Sequence, residues 1–329
     1  MPCRNEEKYI RTALESVYSN DLKTGTYEVL VVDGDSSDRT VEILAELQNQ
    51  YENLIVLENP NRTVPYAMNI GIRAAKGEYV IRIDAHSEYP PNYFSCLIDK
   101  HAELGADNVG CSIETRVMDS NPRSEAIVKV VSDPFGVGNS HFRIGIDEVR
   151  EVDTVPFGCY KREIFERIGY YDERLKKSQD IELNKRLKRN GGKIFLIPDV
   201  KLTYYIREKL SLLAKKYYGN GMWNILVAKY TGNIGSLSLR NYIPFLFVLS
   251  NILGLIASLF NSRIAIGYFI LLGTYLSIIL VRSFMINDCR TNPFWIFLSF
   301  LVLHFSHGTG AIVGSIRQLF IRPPSKPSS

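Results

Sequence analysis

The sequence predicts an α/β domain built on a mostly parallel sheet flanked by helices, followed by C-terminal transmembrane helices. Two observations carry this expectation. Along the first hundred residues short apolar runs alternate with segments of helical period, and between residues 242 and 320 three long stretches are nearly free of charge. Strands that alternate with helices run the same way, each crossover covered by its helix.

Residues 7–19 carry Ile10, Ala13, Leu14 and Val17 at helical spacing, and 27–32 is an apolar run of the buried-strand kind. A helix over 38–50 follows, with Ser36, Ser37 and Asp38 as capping candidates. Next come a strand over 54–57, a helix over 64–75 closed by Gly77, and a strand over 78–83. A strand should precede the first helix, yet only Pro2 and Cys3 stand before the polar residues 4–7. We therefore expect Met1 to be an internal residue of a longer natural chain.

The charge-poor stretches 242–260, 264–281 and 294–313 are each of bilayer length, since about 20 apolar residues cross roughly 30 Å of hydrocarbon. Buried helices of a soluble protein are the alternative. The first residues, MPCRNEEKYI, are charged and lack the apolar core of a secretory signal. The polar domain is accordingly expected on the cytoplasmic side of the inner membrane. Residues 201–240 hold Lys201, Arg207, Lys209, Lys215, Lys216, Lys229 and Arg240 against the single acid Glu208. Basic charge just before a span suits an anionic membrane surface better than nucleic acid, which is not expected as a partner. Five scattered cysteines without CxxC spacing argue against a disulfide framework and against a zinc site. The expected division is a catalytic domain over 1–205, a basic and aromatic membrane-proximal segment over 206–241, a transmembrane region over 242–320 and a flexible tail over 321–329.

In open α/β sheets ligands bind beyond the carboxyl ends of the strands, so the polar residues after each apolar run come first. Arg4, Asn5 and Glu6 follow the truncated first strand, Asp33 and Asp35 the second, and Asp84 and His86 the strand over 78–83. Asp33 could hold a base or ribose, or cap the next helix. Asp84 and His86, two apart, could share a divalent ion with diphosphate oxygens, or be a turn cap and a surface histidine.

Taken together, Pro2-x-Arg4-Asn5-Glu6, VVDGDSSDRT over 31–40, Asn61-Arg62, Asn69-x-Gly71, Ala75-x-Gly77 and IRIDAH over 81–86 form an ordered set. The set resembles the inverting glycosyltransferases of family 2, above all bacterial exopolysaccharide enzymes of the succinoglycan-synthesis type. The likeness covers about residues 1–200. It implies a GT-A type sheet, the nucleotide-diphospho-sugar transferase fold. It also implies a donor site at Pro2, Arg4, Glu6, Asp33, Asp35, Arg62 and Asp84. The family's Asp-x-Asp metal motif falls on Asp84 and His86, and histidine at the second position favours Mn²⁺ over Mg²⁺.

Residues 155–159, 161–163 and 169–173 look like the family's acceptor-side segment, which leads into Ser178-Gln179-Asp180. The family's acidic pair reads Gln179-Asp180 here, so Asp180 inherits the role of catalytic base. An ordinary helix-start acid is the bland alternative. Gly158, Gln179 and Trp223 are further acceptor-side candidates. Met222 replaces the arginine of the processive enzymes' Gln-x-x-Arg-Trp element, which argues for transfer of a single sugar, although Trp223 also suits a membrane interface. His304, His307, Gly308 and Gly310 lie in the third apolar stretch, where lipid contact and helix packing both remain open. Three full spans would put Arg317, Arg322 and Lys326 outside, against the positive-inside tendency, and a re-entrant third segment would remove the conflict.

The expected function is inverting transfer of a sugar from a nucleotide-diphosphate donor to a lipid or lipid-linked saccharide, with a divalent cation, in exopolysaccharide or cell-envelope glycan synthesis. A nucleotidyltransferase would need a Gly-rich phosphate loop that residues 1–7 lack. A non-catalytic membrane scaffold would not need Asp33, Asp84 and Asp180 together.

Overall fold

The computed structural model describes residues 1–22, 25–232 and 242–321. Two compact units emerge: Met1–Glu114 with His141–Tyr205, and Thr115–Ser140 with the described residues of 206–321.

The first unit begins β1 (Pro2–Cys3), α1 (Ile10–Tyr18), β2 (Val29–Asp33), α2 (Thr40–Gln50), β3 (Leu54–Glu58), α3 (Val64–Ala74) and β4 (Tyr79–Ile81). It continues with β5 (Ser87–Glu88), α4 (Tyr93–Leu104) and β6 (Asn108–Arg116). After α5 (Pro122–Val131) and α6 (Pro134–Val137), which belong to the second unit, come α7 (His141–Ile144), β7 (Arg150–Glu151), β8 (Cys159–Lys161), α8 (Glu163–Ile168), α9 (Gln179–Arg189) and β9 (Ile194–Tyr205). The periodic residues do what their spacing implies: α1 buries Ile10, Ala13, Leu14 and Val17, and α2 buries Ile43, Leu44 and Leu47. Each large aliphatic side chain so removed from water contributes about 1.5–3 kcal/mol against the entropy of ordering the chain.

β1, β2 and β3 pair in parallel, as the βαβα order predicts, with Pro2 opposite Val32 and Val32 opposite Leu57. Beyond them the expectation of a mostly parallel sheet is corrected. The second sheet runs β4-β8-β6-β9-β5 with β7 on β9, and β4–β8, β6–β8 and β5–β9 are all antiparallel. The cause is the end of regular alternation at β4. From there the neighbours are strands distant in sequence, β4 taking β8 and β5 taking β9, rather than successive strands joined by a crossover helix. The fold is a mixed sheet whose parallel part carries the loops after β1, β2 and β3 at one end.

The second unit holds α5 and α6 with α10 (Leu210–Thr231), α11 (Ile243–Ser258), α12 (Ser262–Met285) and α13 (Pro293–Phe320). Among the described residues α12 and α13 are long and apolar enough to cross a bilayer, with mean hydropathy 2.3 and 1.6. The first expected span, 242–260, folds instead as a helix of 16 residues, about 24 Å long and short of the hydrocarbon thickness. α13 runs past the expected limit at 313 to Phe320. Residues 233–241 of the membrane-proximal segment, Arg240 among them, and the tail 322–329, with Arg322 and Lys326, lie outside the described residues.

Polar contacts tie α5 and α6 into this helical unit. Two N–H groups of Arg282 on α12 donate to Asp133 Oδ2 at 3.0 and 2.5 Å, and Lys129 Nζ lies 2.7 Å from Asp288. His304 Nε2 donates to the Phe135 carbonyl at 2.9 Å, so its Nδ1 must accept from the Tyr275 hydroxyl, also at 2.9 Å. His304 is thus a latch between α13, α12 and the α6 turn. Gly310 has a packing reason as well: a Cβ there would lie 2.0 Å from the Tyr218 carbonyl oxygen on α10.

Candidate active site

The loops after β1 and β2 are laced together by side chains that the sequence motif supplies. Asn5 N–H donates to Ser36 Oγ (2.9 Å), Ser37 N–H to Asn5 Oδ1 (2.8 Å) and Glu6 N–H to Thr40 Oγ1 (2.8 Å). Asp33, 8% exposed at the end of β2, accepts from Ser36 N–H at 3.0 Å and Ser36 Oγ at 2.5 Å. Part of its role is therefore to fold its own loop, while a carboxylate with about four acceptor positions keeps capacity for a ligand. Asp38, not Ser36 or Ser37, serves the start of α2, accepting from Thr40 N–H at 3.0 Å. Pro2 is buried within β1 and Arg4 is exposed beside it. Asp35 and Arg62 form an ion pair between the loops after β2 and β3, both more than half exposed.

Asn5, Asp35, Arg62, Phe157 and Ser178 are the non-glycine residues with positive φ among the described residues. Each lies in a loop that the sequence motifs mark. Left-handed backbone in such residues costs energy and persists where surrounding contacts enforce it, as at binding sites.

After β4 the chain turns around Tyr89, whose hydroxyl accepts from Asp84 N–H at 2.6 Å and donates to Asp84 O at 3.2 Å. Asp84 and His86 are brought together, with Nδ1 of His86 3.9 Å from Asp84 Oδ1 and 3.7 Å from Glu6 Oε1. On its other side the imidazole meets the Tyr204 hydroxyl through Nε2, at 3.0 Å. That contact fixes the ring and turns Nδ1 toward the two carboxylates.

Asp180, in the first turn of α9, pairs with Arg82, which is 8% exposed at the end of β4. Burial opposes the charge on Arg82, but Asp180 beside it wins and raises the guanidinium above its ordinary value. Glu182, two residues on, is consumed structurally: it pairs with Arg186, whose other N–H groups donate to the carbonyls of Ile168, Gly169 and Tyr170. Gln179 is 8% exposed, and its Oε1 is buried without a hydrogen-bond partner among the described residues. Gly158 sits where a Cβ would strike Asn108 Oδ1 at 2.0 Å. Asn108 donates to Asn184 Oδ1 (2.9 Å), and Asn184 in turn donates to Thr154 Oγ1 and Val155 O, a buried network that seats α9. Asn69 ties α3 to the segment before α9, exchanging hydrogen bonds with the Tyr171 backbone at 2.9 and 3.0 Å. Trp223 belongs to the second unit, buried on α10 against Tyr230.

With this geometry in place, comparison with known proteins decides the family. The sequence matches the profile "Glycosyl transferase family 2" over residues 1–169. The chain belongs to glycosyl transferase family 2. This glycosyltransferase is 30% identical over 223 residues to the succinoglycan biosynthesis protein ExoA of Rhizobium meliloti (strain 1021), a match covering 67% of this chain and 66%, just under two thirds, of that relative. It is 25% identical over 283 residues to a dolichyl N-acetyl-alpha-D-glucosaminyl phosphate 3-beta-D-2,3-diacetamido-2,3-dideoxy-beta-D-glucuronosyltransferase of Methanococcus voltae, covering 80% of this chain and 87% of that one. Among solved structures, S. aureus TarS 1-349 in complex with UDP-GlcNAc matches with a TM-score of 0.51 at 18% identity, over 96% of this chain and 90% of that chain. GalNAc-T7 with UDP, GalNAc and Mn²⁺ matches with a TM-score of 0.50 at 16% identity, over 63% of this chain and 43% of that chain. These structures establish the GT-A-like fold, and the family makes the chain a glycosyltransferase using nucleotide sugars.

No group of three or more His, Cys, Asp or Glu side chains is arranged to hold a metal ion by itself among the described residues. The pair Asp84 and His86 nonetheless fits an ion that takes its remaining ligands from a diphosphate: an oxygen and a nitrogen donor 3.9 Å apart, the imidazole fixed from behind. Two neighbours of the family's motifs escape sequence reasoning. Arg82 carries a signal, a cation within an apolar strand next to the Asp-x-His. Tyr204 carries none, because it reaches His86 from a strand 118 residues away.

Proposed function

We propose that this family 2 enzyme transfers one sugar, with inversion, from a nucleotide-diphosphate donor to a lipid or lipid-linked acceptor in exopolysaccharide or cell-envelope glycan synthesis. The observation that carries the reading is the meeting, in one unit, of the laced loops after β1 and β2, the Asp84–His86 pair after β4 and the Arg82-held Asp180 at the start of α9. The loops with Pro2, Arg4, Glu6, Asp33, Asp35 and Arg62 bind the nucleotide. Asp84 and His86 hold a divalent ion, Mn²⁺ by preference, which when bound neutralises the leaving diphosphate. Arg82 holds Asp180 in place through their ion pair, and Asp180 takes the proton of the acceptor hydroxyl as it attacks the sugar from the face opposite the leaving group. The name of one relative, a succinoglycan biosynthesis protein, supports the exopolysaccharide setting, and that of another, which acts on a dolichyl-linked sugar phosphate, supports the lipid-linked acceptor. The apolar helices α12 and α13 support a membrane setting, with the catalytic unit on the cytoplasmic face.

The test is a panel of radiolabelled nucleotide sugars added to membranes that contain the enzyme, with label followed into extracted lipid. One donor should label lipid in a manner abolished by EDTA. Label that never enters lipid, with transfer to a soluble acceptor instead, would refute the acceptor assignment. EDTA-resistant transfer would refute the metal.

A further inference from the structure

Arg143 lies on α7, and its guanidinium stands over two rings, that of Phe142 at 5.5 Å and that of Tyr204 at 5.6 Å. Its Nη1 is buried, yet the side chain makes no hydrogen bond and no ion pair among the described residues. Ring faces hold a guanidinium in place but satisfy none of its five N–H donors. A buried donor without an acceptor is costly, and a planar fork of this kind matches phosphate oxygens better than any other common anion apart from carboxylate.

The neighbours of Arg143 narrow the ligand. Tyr204 is the residue whose hydroxyl holds His86, with ring centroids 4.9 Å apart, and the Tyr204 ring packs on Phe157 at 5.8 Å. Phe157 in turn lies beneath Arg82, the partner of Asp180. One aromatic pair thus carries two guanidiniums. Arg82 is neutralised by a carboxylate of the protein, and Arg143 is not.

We infer that Arg143 is a substrate-binding residue of the reaction, its free N–H groups taking phosphate oxygens beside the Asp84–His86 pair. The inference rests on the family's nucleotide-sugar chemistry and, for one of the two phosphate sources, on the proposed lipid acceptor. Those sources are the donor diphosphate and the phosphate of a polyprenyl acceptor, and both offer the same oxygens.

The test compares wild type, Arg143→Met and Arg143→Lys in detergent with Mn²⁺. Each is titrated with whichever of UDP, GDP, ADP and dTDP the wild type binds best, with the matching nucleoside, and with a polyprenyl phosphate in micelles. If the donor is the source, Arg143→Met weakens the nucleoside diphosphate by about ten- to hundredfold, the worth of a charged hydrogen bond. Nucleoside affinity stays unchanged, and Arg143→Lys recovers part of the loss. If the acceptor is the source, the same loss appears with polyprenyl phosphate alone. Unchanged affinity for both phosphates in a folded Arg143→Met protein overturns the inference. A wild type that binds none of the four diphosphates overturns the donor chemistry, and the inference falls with it.

Discussion

In the proposed metal site His86 takes the second position of an Asp-x-Asp pattern, and the consequence is confined to one side chain. An imidazole offers one neutral nitrogen where a carboxylate would offer charge, which suits Mn²⁺ better than Mg²⁺. His86→Asp should therefore retain activity and shift the preferred ion toward Mg²⁺, as read from transfer rates across a titration of each metal. An unchanged preference would remove His86 from the ion. Asp84→Ala should abolish turnover, since the leaving diphosphate loses its anchored charge partner. At this scale the motif residues were legible because a short motif needs only chain order. Tyr204 and Arg143 were not, since their positions beside His86 depend on where β9 and α7 come to lie.

At the scale of elements, the first turn of α9 carries two carboxylates, Asp180 and Glu182, with different partners. Glu182 is 4% exposed and tied to Arg186, which closes the carbonyls after α8. Glu182→Gln should lower the melting temperature, because a buried pair loses one charge, a change worth up to about 3–5 kcal/mol when the partner is stranded. Its turnover per folded molecule should stay near wild type, and a selective loss of turnover would return Glu182 to the chemistry. Gly310 gives the matching prediction for the second unit. With no room for a Cβ against Tyr218 O, Gly310→Leu should part α10 from α13 and cost at least about 1–3 kcal/mol, the usual penalty of overpacking. Thermal unfolding in detergent reads it, and an unshifted transition would deny the close approach. The elements α1 to β4 were legible from alternation, whereas β1, two residues long, was expected only because a strand should precede α1. The antiparallel half was not, because β5, β7 and β8 are two or three residues long and carry no period to read.

For the whole molecule, the sequence divides at the onset of charge-poor residues, and the helical unit does hold the apolar helices. What it could not reveal is that 115–140 groups with them. The residues responsible, Asp133, Lys129 and the Phe135 carbonyl, find Arg282, Asp288 and His304 about 150 residues away or more, and no local pattern records such pairing. The exposed apolar surface of α12, including Phe269, Ile270 and Leu271, predicts that alkaline carbonate leaves the protein in the membrane pellet. Release into the supernatant would refute membrane insertion. In the proposed mechanism donor binding and proton removal fall to different parts of one active site, the former to the loops after β1, β2 and β4 and the latter to Asp180. The direct measurement is Asp180→Asn, with donor affinity taken by calorimetry and sugar transfer by label on the same preparation. Donor affinity should stay close to wild type and transfer should fall by about 10²–10⁴-fold, the usual worth of a positioned general base. Transfer by Asp180→Asn at nearly the wild-type rate would contradict the mechanism.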